Sequence, residues 1–207
     1  AADKFDARVT SVEFPWPPGL TGLERIMLSA SGDLQRLLSA FFMRPITIAL
    51  QSASTSPSPR TQPASPSSPL TQKRRVHLLC ASRIACIATS TVTITSQECE
   101  RLFLDEGYAI GQLFRKMKTV PRFCLLDVGV YDDGAGAGEN INAEERKTVK
   151  LWRRYTLDLE GFACEILEEF PDRDMFVLGE RWLEDYEPLS DRDNTNYEQL
   201  IPSSSTT

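Results

Sequence analysis

Hydrophobic side chains recur along the chain with two periods, and each period predicts one kind of element. In residues 31–42 the leucines and phenylalanines are spaced three and four positions apart, which predicts an amphipathic helix. Runs rich in β-branched residues predict strands, and Glu160-Gly161 predicts a hairpin turn between two of them. The predicted strands are residues 46–50, 74–81, 85–95, 122–130, 150–159 and 162–170, with further short helices at 97–106 and 110–118.

The order of these elements predicts the fold class. Short turns join several neighbouring strands, so these strands run antiparallel, and the chain belongs to the α+β class rather than to the doubly wound folds. With 207 residues, of which 41% are hydrophobic, the chain is long enough for one core. We expect a single domain over residues 1–187 and a polar C-terminal tail over 188–207.

Two low-complexity segments interrupt this pattern. Residues 51–72, QSASTSPSPRTQPASPSSPLTQ, are rich in Ser and Pro and predict a long solvent-facing loop between two strands. Such a loop serves as a lid, a spacer or an idle insertion. The glycine-rich run DDGAGAGEN lacks the spacing of a dinucleotide-binding loop, so it predicts a flexible hairpin connection.

Charge and hydropathy argue against nucleic-acid and membrane partners. A formal net charge of -6 argues against a nucleic-acid surface, because such surfaces need clustered cations. The Lys73-Arg74-Arg75 run is too short to change that expectation, and no apolar stretch approaches the roughly 18 residues of a membrane span. We therefore expect a cytoplasmic protein without a nucleic-acid or membrane partner. The start, Ala1-Ala2-Asp3, is compatible with a trimmed chain or with a removed leader.

The five cysteines show no metal-binding spacing, so we expect no metal site, and reduced thiols rather than disulfides. Other catalytic patterns are also missing from the sequence: it contains no GxSxG motif and no P-loop. His77 is the one histidine in the chain, and it lies on a predicted strand without an evident nucleophile nearby. We interpret it as a structural residue.

Strand alternation singles out one carboxylate. In residues 162–170 one face carries Cys164, Ile166, Glu168 and Phe170, which places Glu168 in the middle of the more apolar face. A buried carboxylate is costly unless it is paired or protonated, so this position indicates a functional or structural need. The alternative is an edge carboxylate that faces water.

Alternation also brings arginines toward the same interior. Arg153 shares a face with Tyr155 and Leu157 on the preceding predicted strand, so we expect it to point inward. On the strand after the Ser/Pro segment we expect Arg75 to point inward as well. A guanidinium there offers a fork of donors for the carboxylate or enolate of a small ligand.

The order of these segments resembles the chorismate lyase family. The similarity extends from about residue 26 to residue 171 and rests on IMLSASGDLQRLLSAFF, PITIAL, RRVHLLC, ATSTVTI, YAIGQLFR and LWRRYTLDLEG with CEILEEFP. No single segment is distinctive, but their order and spacing are. The resemblance implies an antiparallel sheet with helices that closes over a ligand cavity, and an enzyme that needs no cofactor.

The resemblance also implies functions for individual residues. The family's carboxylate-binding arginine falls on Arg75 and its catalytic or ligand-contacting glutamate on Glu168, which we predict as the catalytic pair. Gly111 matches the glycine of a closing loop, and its neighbour Ile110 would line the cavity. We add Ser90, Arg153 and Ile166 as substrate-binding positions. Ser90 stands where the bacterial lyases carry a second arginine, so a dianionic substrate such as chorismate loses one cationic anchor.

These observations lead to three functional hypotheses. The first is a cofactor-free enzyme of secondary metabolism that guides a cyclisation, a cycloaddition or an elimination of a conjugated substrate. The Ser/Pro insertion suggests a fungal source, where small proteins act as pericyclases, including hetero-Diels–Alderases. The second is chorismate lyase activity, which releases pyruvate and 4-hydroxybenzoate. The third is a small-ligand-binding module without catalysis. The oligomeric state and the substrate stay open.

Overall fold

A computed structural model describes residues 2–6, 9–132 and 149–184. It contains a six-stranded antiparallel sheet and several short helices, which confirms the α+β class. The strands of this sheet are β3 (Ile46–Ser56), β4 (Leu70–Cys80), β5 (Arg83–Ile94), β6 (Arg122–Asp132), β7 (Val149–Leu159) and β8 (Phe162–Phe170), in the spatial order β3-β4-β5-β8-β7-β6. A separate two-stranded antiparallel sheet pairs β1 (Ala2–Asp6) with β2 (Val9–Glu13).

Among the described residues, two helices precede the large sheet, two connect β5 to β6, and one follows β8. They are α1 (Gly22–Ser29), α2 (Leu34–Phe42), α3 (Gln97–Glu100), α4 (Ile110–Lys116) and α5 (Asp174–Leu178). A π-helical turn, Arg101–Asp105, continues α3, and a 3-10 turn, Gly179–Leu183, follows α5. None of the helices in the described ranges is long and apolar enough to cross a membrane.

The predicted positions of most elements are confirmed. The helix expected at residues 31–42 is α2, the hairpin expected at residues 150–170 is β7 and β8, and the two short helices expected after β5 are α3 and α4. Gly161 forms the tight turn of that hairpin with φ of 82°, and a Cβ there would come within 2.4 Å of the Ser96 Cβ. The turn therefore needs glycine both for its backbone angle and for the close approach of Ser96.

The prediction of a loop over the whole of residues 51–72 is wrong at both ends. The strand β3 continues to Ser56 and β4 begins at Leu70, with Ser56 opposite Thr71 in the ladder. Ser and Thr side chains are compatible with an exposed strand because the backbone supplies the pairing. Only residues 57–69 connect the two strands. Within this connection Ala64 is buried, and its backbone N–H donates to Glu100 at 2.7 Å.

Helix α1 was not predicted, although its N-terminus carries a capping box. The Thr21 side chain accepts a hydrogen bond from the Glu24 backbone, and the Glu24 carboxylate accepts one from the Thr21 backbone at 2.7 Å. Glu24 is buried and also accepts two hydrogen bonds from Arg173, at 2.7 and 2.8 Å. This pair fastens α1 to the segment that follows β8.

The hydrophobic core lies between one face of the large sheet, its inner face, and the helices. Phe162 of β8 is fully enclosed there and contacts two aromatic rings edge-on. One is Phe103 of the π-helical turn at 5.2 Å, and the other is Phe114 of α4 at 5.7 Å between ring centroids. These contacts fix the connection between β5 and β6 against the sheet. The predicted polar tail and most of the glycine-rich run lie outside the described residues.

Candidate functional site

A pocket of about 710 Å³ opens on the inner face of the sheet. Its floor is formed by β3, β4, β5, β7 and β8, and its walls by residues 31–36, residues 109–115 and residues 118–121. The residues of β5 on the floor are Ala88 and Ser90, both small and both buried. Since the neighbouring strands present larger side chains, the small residues of β5 leave the space that becomes the pocket.

Cross-strand pairing sets the order of side chains on the floor. Arg74 lies opposite Ser90, and Ser90 lies opposite Ile166, which itself lies opposite Tyr155. All four line the pocket. Side chains that face each other in this way are about 5 Å apart at Cβ. The row therefore places a guanidinium, a hydroxyl, an aliphatic group and a phenol in sequence across the sheet.

The next row contains Glu168, which lies opposite Ala88 on one side and Arg153 on the other. Glu168 is 5% exposed, so the prediction that it points inward is confirmed. Both of its oxygens have partners: Arg153 Nε donates to Oε2 at 2.6 Å, and the Tyr155 hydroxyl donates to Oε1 at 2.9 Å. The carboxylate is thus held in a fixed orientation at the edge of the pocket.

Arg153 is completely buried, as predicted, but it lies beneath Glu168 and does not line the pocket. Its Nη1 donates to the carbonyl oxygens of Met27 and Ala30 at 3.1 and 2.5 Å, at the C-terminal end of α1. Burial disfavours the charged guanidinium, but the adjacent Glu168 carboxylate outweighs that effect and raises the pKa of Arg153. This ion pair connects the sheet to the helix end that leads into the pocket wall.

Tyr155 was not predicted as a site residue. Burial raises the pKa of its phenol well above the usual value, and the Glu168 carboxylate raises it further. The Tyr155 phenol therefore stays neutral, and its hydroxyl donates a hydrogen bond to Glu168. Its place on the inner face could be read from the sequence, since it alternates with Arg153 and Leu157.

The prediction that Arg75 points into the pocket is wrong. Arg75 is exposed on the outer face of the sheet, where its Nη1 approaches the Thr89 hydroxyl at 3.4 Å. Arg74 takes the inward position instead. In β4 the inner face carries Leu70, Val76, Leu78 and Cys80, which is the more apolar set, while His77 lies on the outer face beside Arg75. Counting apolar residues on each face of RRVHLLC would have selected Arg74.

Arg74 is partly buried and lacks an ion-pair partner among the described residues. Its Nε is buried without a hydrogen-bond partner, and its guanidinium lies over the Phe103 ring, 5.4 Å from the centroid. Burial lowers the pKa of Arg74, yet its ordinary value is so high that it stays charged near neutral pH. Arg74 is thus a cation with unused donors on the pocket floor.

Four of the other predicted substrate-binding residues line the pocket: Ser90, Ile110, Gly111 and Ile166. Ser90 and Ile166 lie on the floor, and Ile110 and Gly111 begin α4 in the wall. In the part of the chain that the structure describes, no three His, Cys, Asp or Glu side chains converge on a possible metal position. All five cysteines are unpaired, and four of them are buried.

The surface of the pocket is therefore mostly apolar, and its charged side chains are Arg74 and Glu168 on the floor and Asp33, Arg36, Arg115 and Lys118 in the walls. Leu78, Phe114 and Leu157 supply apolar surface, and Arg74 supplies the one floor cation that has no carboxylate beside it in the described residues. Such a site can enclose a mostly apolar molecule and bind one oxygen of partial or full negative charge. No protein-family model matches this chain, and neither does any curated protein.

Proposed function

We propose that the chain is a cofactor-free enzyme of small-molecule metabolism that binds a conjugated substrate in this pocket and guides its cyclisation, cycloaddition or elimination. The observation that carries the proposal is Arg74, a partly buried guanidinium with unused donors in a largely apolar pocket. No carboxylate of the described residues pairs with this guanidinium, so a cation on a mostly apolar pocket floor supports a ligand whose oxygen accepts its hydrogen bonds.

The size of the pocket supports a substrate larger than chorismate. Ligand pockets span roughly 300–1,000 Å³, and about 710 Å³ lies in the upper part of that range. Chorismate is a compact dianion, whereas the pocket floor offers one guanidinium that is not already paired. A conjugated ketone or enol with an extended apolar body suits both the volume and the charge.

Arg74 would stabilise negative charge on the substrate. As electron density shifts onto a carbonyl or enol oxygen in the transition state, a guanidinium fixed beside it lowers the barrier. Removal from bulk water strengthens this interaction. The apolar surface of the pocket would hold the reacting carbons close together, which by itself supplies several kcal/mol in favourable cases.

Tyr155 and Glu168 would position the same substrate. Both oxygens of Glu168 are already engaged by Arg153 and Tyr155, so we assign Glu168 the role of a positioning residue. The Tyr155 ring lines the floor next to Ile166, where it would pack against a conjugated face. In a hetero-Diels–Alder cycloaddition one C–C and one C–O bond form while three π bonds become one, and no atom leaves, so neither residue needs to accept a proton.

We also propose that the chain has the fold of the chorismate lyase family. It is supported by the segment order quoted above and by the helix, strand and hairpin order of the large sheet. The presence of an arginine from β4 and a glutamate from β8 in one pocket also supports it, with Arg74 in the position that was predicted for Arg75.

Binding is tested by calorimetric titration with tropolone and with 4-hydroxybenzoate, two conjugated probes that each form a monoanion near neutral pH. Ser90→Phe fills the floor beside Arg74, and Thr91→Phe adds the same bulk on the exposed face of the same strand. We expect wild type and Thr91→Phe to bind and Ser90→Phe not to bind. Equal binding by all three, or none by wild type, would contradict a ligand pocket here.

Catalysis is tested separately. The protein is mixed with an o-quinone methide generated in solution and a cyclic polyene, and the rate and enantiomeric excess of the adduct are measured. We expect faster formation and one enantiomer in excess. Release of 4-hydroxybenzoate from chorismate would identify a lyase instead. If the probes bind but neither assay shows conversion, the chain is a small-ligand-binding module rather than an enzyme.

A further inference from the structure

The mouth of the pocket carries an excess of positive charge. Arg36, Arg115 and Lys118 line it and are all exposed, whereas Arg74 lies deeper. Two carboxylates also line the pocket, Asp33 and Glu168. The pocket thus presents four cations against two carboxylates, in a chain whose formal net charge is -6.

The carboxylates do not cancel this excess. Glu168 forms its ion pair with the buried Arg153, which lies outside the pocket. Asp33 lies 3.4 Å from Arg36, and both side chains are more than half exposed, so this contact is weak. Arg115 donates to the Gly111 carbonyl at 3.2 Å, and among the described residues no ion pair involves Arg115 or Lys118.

The backbone conformation at Lys118 positions one of the mouth cations. Lys118 follows α4 with φ of 53°, in the left-handed region that glycine usually occupies after a helix. The hydrogen bonds of a helix end are present, from Lys118 N to the Arg115 carbonyl and from Thr119 N to the Phe114 carbonyl. Met43 has the same left-handed conformation after α2, with φ of 50°, so this conformation positions Lys118 but does not by itself point to a ligand.

We infer that the substrate of this pocket is an organic anion, which the exposed cations Arg36, Arg115 and Lys118 attract to the mouth before Arg74 binds it inside. This inference rests on the proposed function and narrows it to acidic substrates, ionised at neutral pH. Their chemistry is that of a carboxylic acid or an acidic enol on an apolar conjugated body. A neutral molecule of the same shape would enter without that assistance.

Exposed and buried charges affect different steps of binding. Exposed charges at a mouth raise the association rate constant of an oppositely charged ligand, and salt screens them over about 10 Å at 0.1 M. A buried partner acts mainly on the dissociation rate. The inference therefore predicts that the mouth cations control association and that Arg74 controls dissociation.

The test is a stopped-flow measurement with two fluorescent probes of one skeleton. 8-Anilinonaphthalene-1-sulfonate is an anion, and N-phenyl-1-naphthylamine is its neutral counterpart. The variant Arg115→Gln/Lys118→Gln removes two mouth cations. The control Lys73→Gln/Lys116→Gln removes the same charge from residues that do not line the pocket. The Ser90→Phe variant shows which part of each signal comes from the pocket.

We expect the mouth variant to lower the association rate constant of the anionic probe about three- to tenfold at low salt. The difference should vanish near 0.5 M salt, and the neutral probe should respond to neither variant. An unchanged rate for the anion, or an equal loss in the control, overturns the inference while leaving the pocket intact. If Ser90→Phe does not reduce the fluorescence of either probe, the probes do not bind in this pocket, and the proposed function is contradicted as well.

Discussion

Arg74 and Arg75 are neighbours in β4, yet their side chains lie on opposite faces of the sheet. Arg74 lines the pocket with its Nε buried and unpartnered, whereas Arg75 is exposed beside Thr89. The two residues have the same chemistry and nearly the same position in the chain. They therefore form a matched pair in which one residue tests the site and the other serves as its control.

The ion pair beneath the pocket should be essential for stability. Glu168→Gln leaves the Arg153 guanidinium fully buried without a counter-charge, which typically costs about 3–5 kcal/mol in the free energy of unfolding. Glu169→Gln changes the next residue, on the outer face, and should cost less than about 0.5 kcal/mol. Urea denaturation measures both.

A double variant, Arg153→Met/Glu168→Gln, removes the stranded charge and should recover part of the loss. Equal stability of Glu168→Gln and wild type would show that the buried pair contributes nothing to the fold. That result would favour a direct catalytic role for Glu168 over the positioning role proposed above.

The second buried pair should make the fold acid-sensitive. Burial raises the pKa of Glu24, but the hydrogen bonds and charge of Arg173, together with the Thr21 contacts, outweigh it and leave this pKa below its usual value. A carboxyl whose pKa is lowered in the folded state stabilises the fold above its unfolded pKa. That contribution disappears as the pH falls from about 4.5 through the folded value.

The free energy of unfolding of the wild type should therefore fall steeply below about pH 4.5. In Glu24→Gln the free energy of unfolding should be lower at pH 7, and it should fall less as the pH decreases below about 4.5. Urea denaturation at several pH values measures the difference. Parallel pH curves for the two proteins would show that Glu24 has the same pKa in both states.

The left-handed residue at the end of α4 gives a prediction with opposite effects on stability and binding. Lys118→Gly should raise the free energy of unfolding by about 0.5–1 kcal/mol, because glycine adopts positive φ without strain. Lys116→Gly, inside the helix, should lower it by about 1 kcal/mol. Lys118→Gly should also slow association of the anionic probe. A less stable Lys118→Gly would show that Lys118 contributes packing that outweighs its backbone strain.

The sequence allowed good prediction of β7 and β8 because one face of each strand is more apolar than the other, although Trp152 lies on the more polar face of β7. The tight turn at Gly161 fixes their register, and one face of each strand is clearly more apolar, so Glu168 and Arg153 were placed correctly. In β4 the pattern is weaker, since Val76 and Leu78 on one face compete with Leu79 on the other. Cys80 also lies on the face of Arg74, so a count of apolar residues favours Arg74, whereas the prediction of Arg75 followed the family resemblance.

Other features depend on contacts that a pattern does not contain. The pocket arises because Ala88 and Ser90 lie between larger neighbours on adjacent strands, and that juxtaposition needs the strand order. The continuation of β3 to Ser56 comes from backbone pairing, to which Ser-rich composition gives no clue. Helix α1 is different, because Thr21 and Glu24 form a capping box that can be recognised in the sequence.

The central claim is that Arg74 holds the acidic oxygen of the ligand. The most direct measurement is the dissociation constant of tropolone for wild type, Arg74→Met and Arg75→Met, with thermal unfolding as the check that all three are folded. Methionine keeps an unbranched stem near Phe103 and removes the guanidinium. A charge-assisted hydrogen bond is worth about 1.5–3 kcal/mol, so Arg74→Met should bind roughly 10- to 150-fold more weakly. Arg75→Met should match wild type within about twofold, whereas equal affinities of Arg74→Met and wild type would contradict the account.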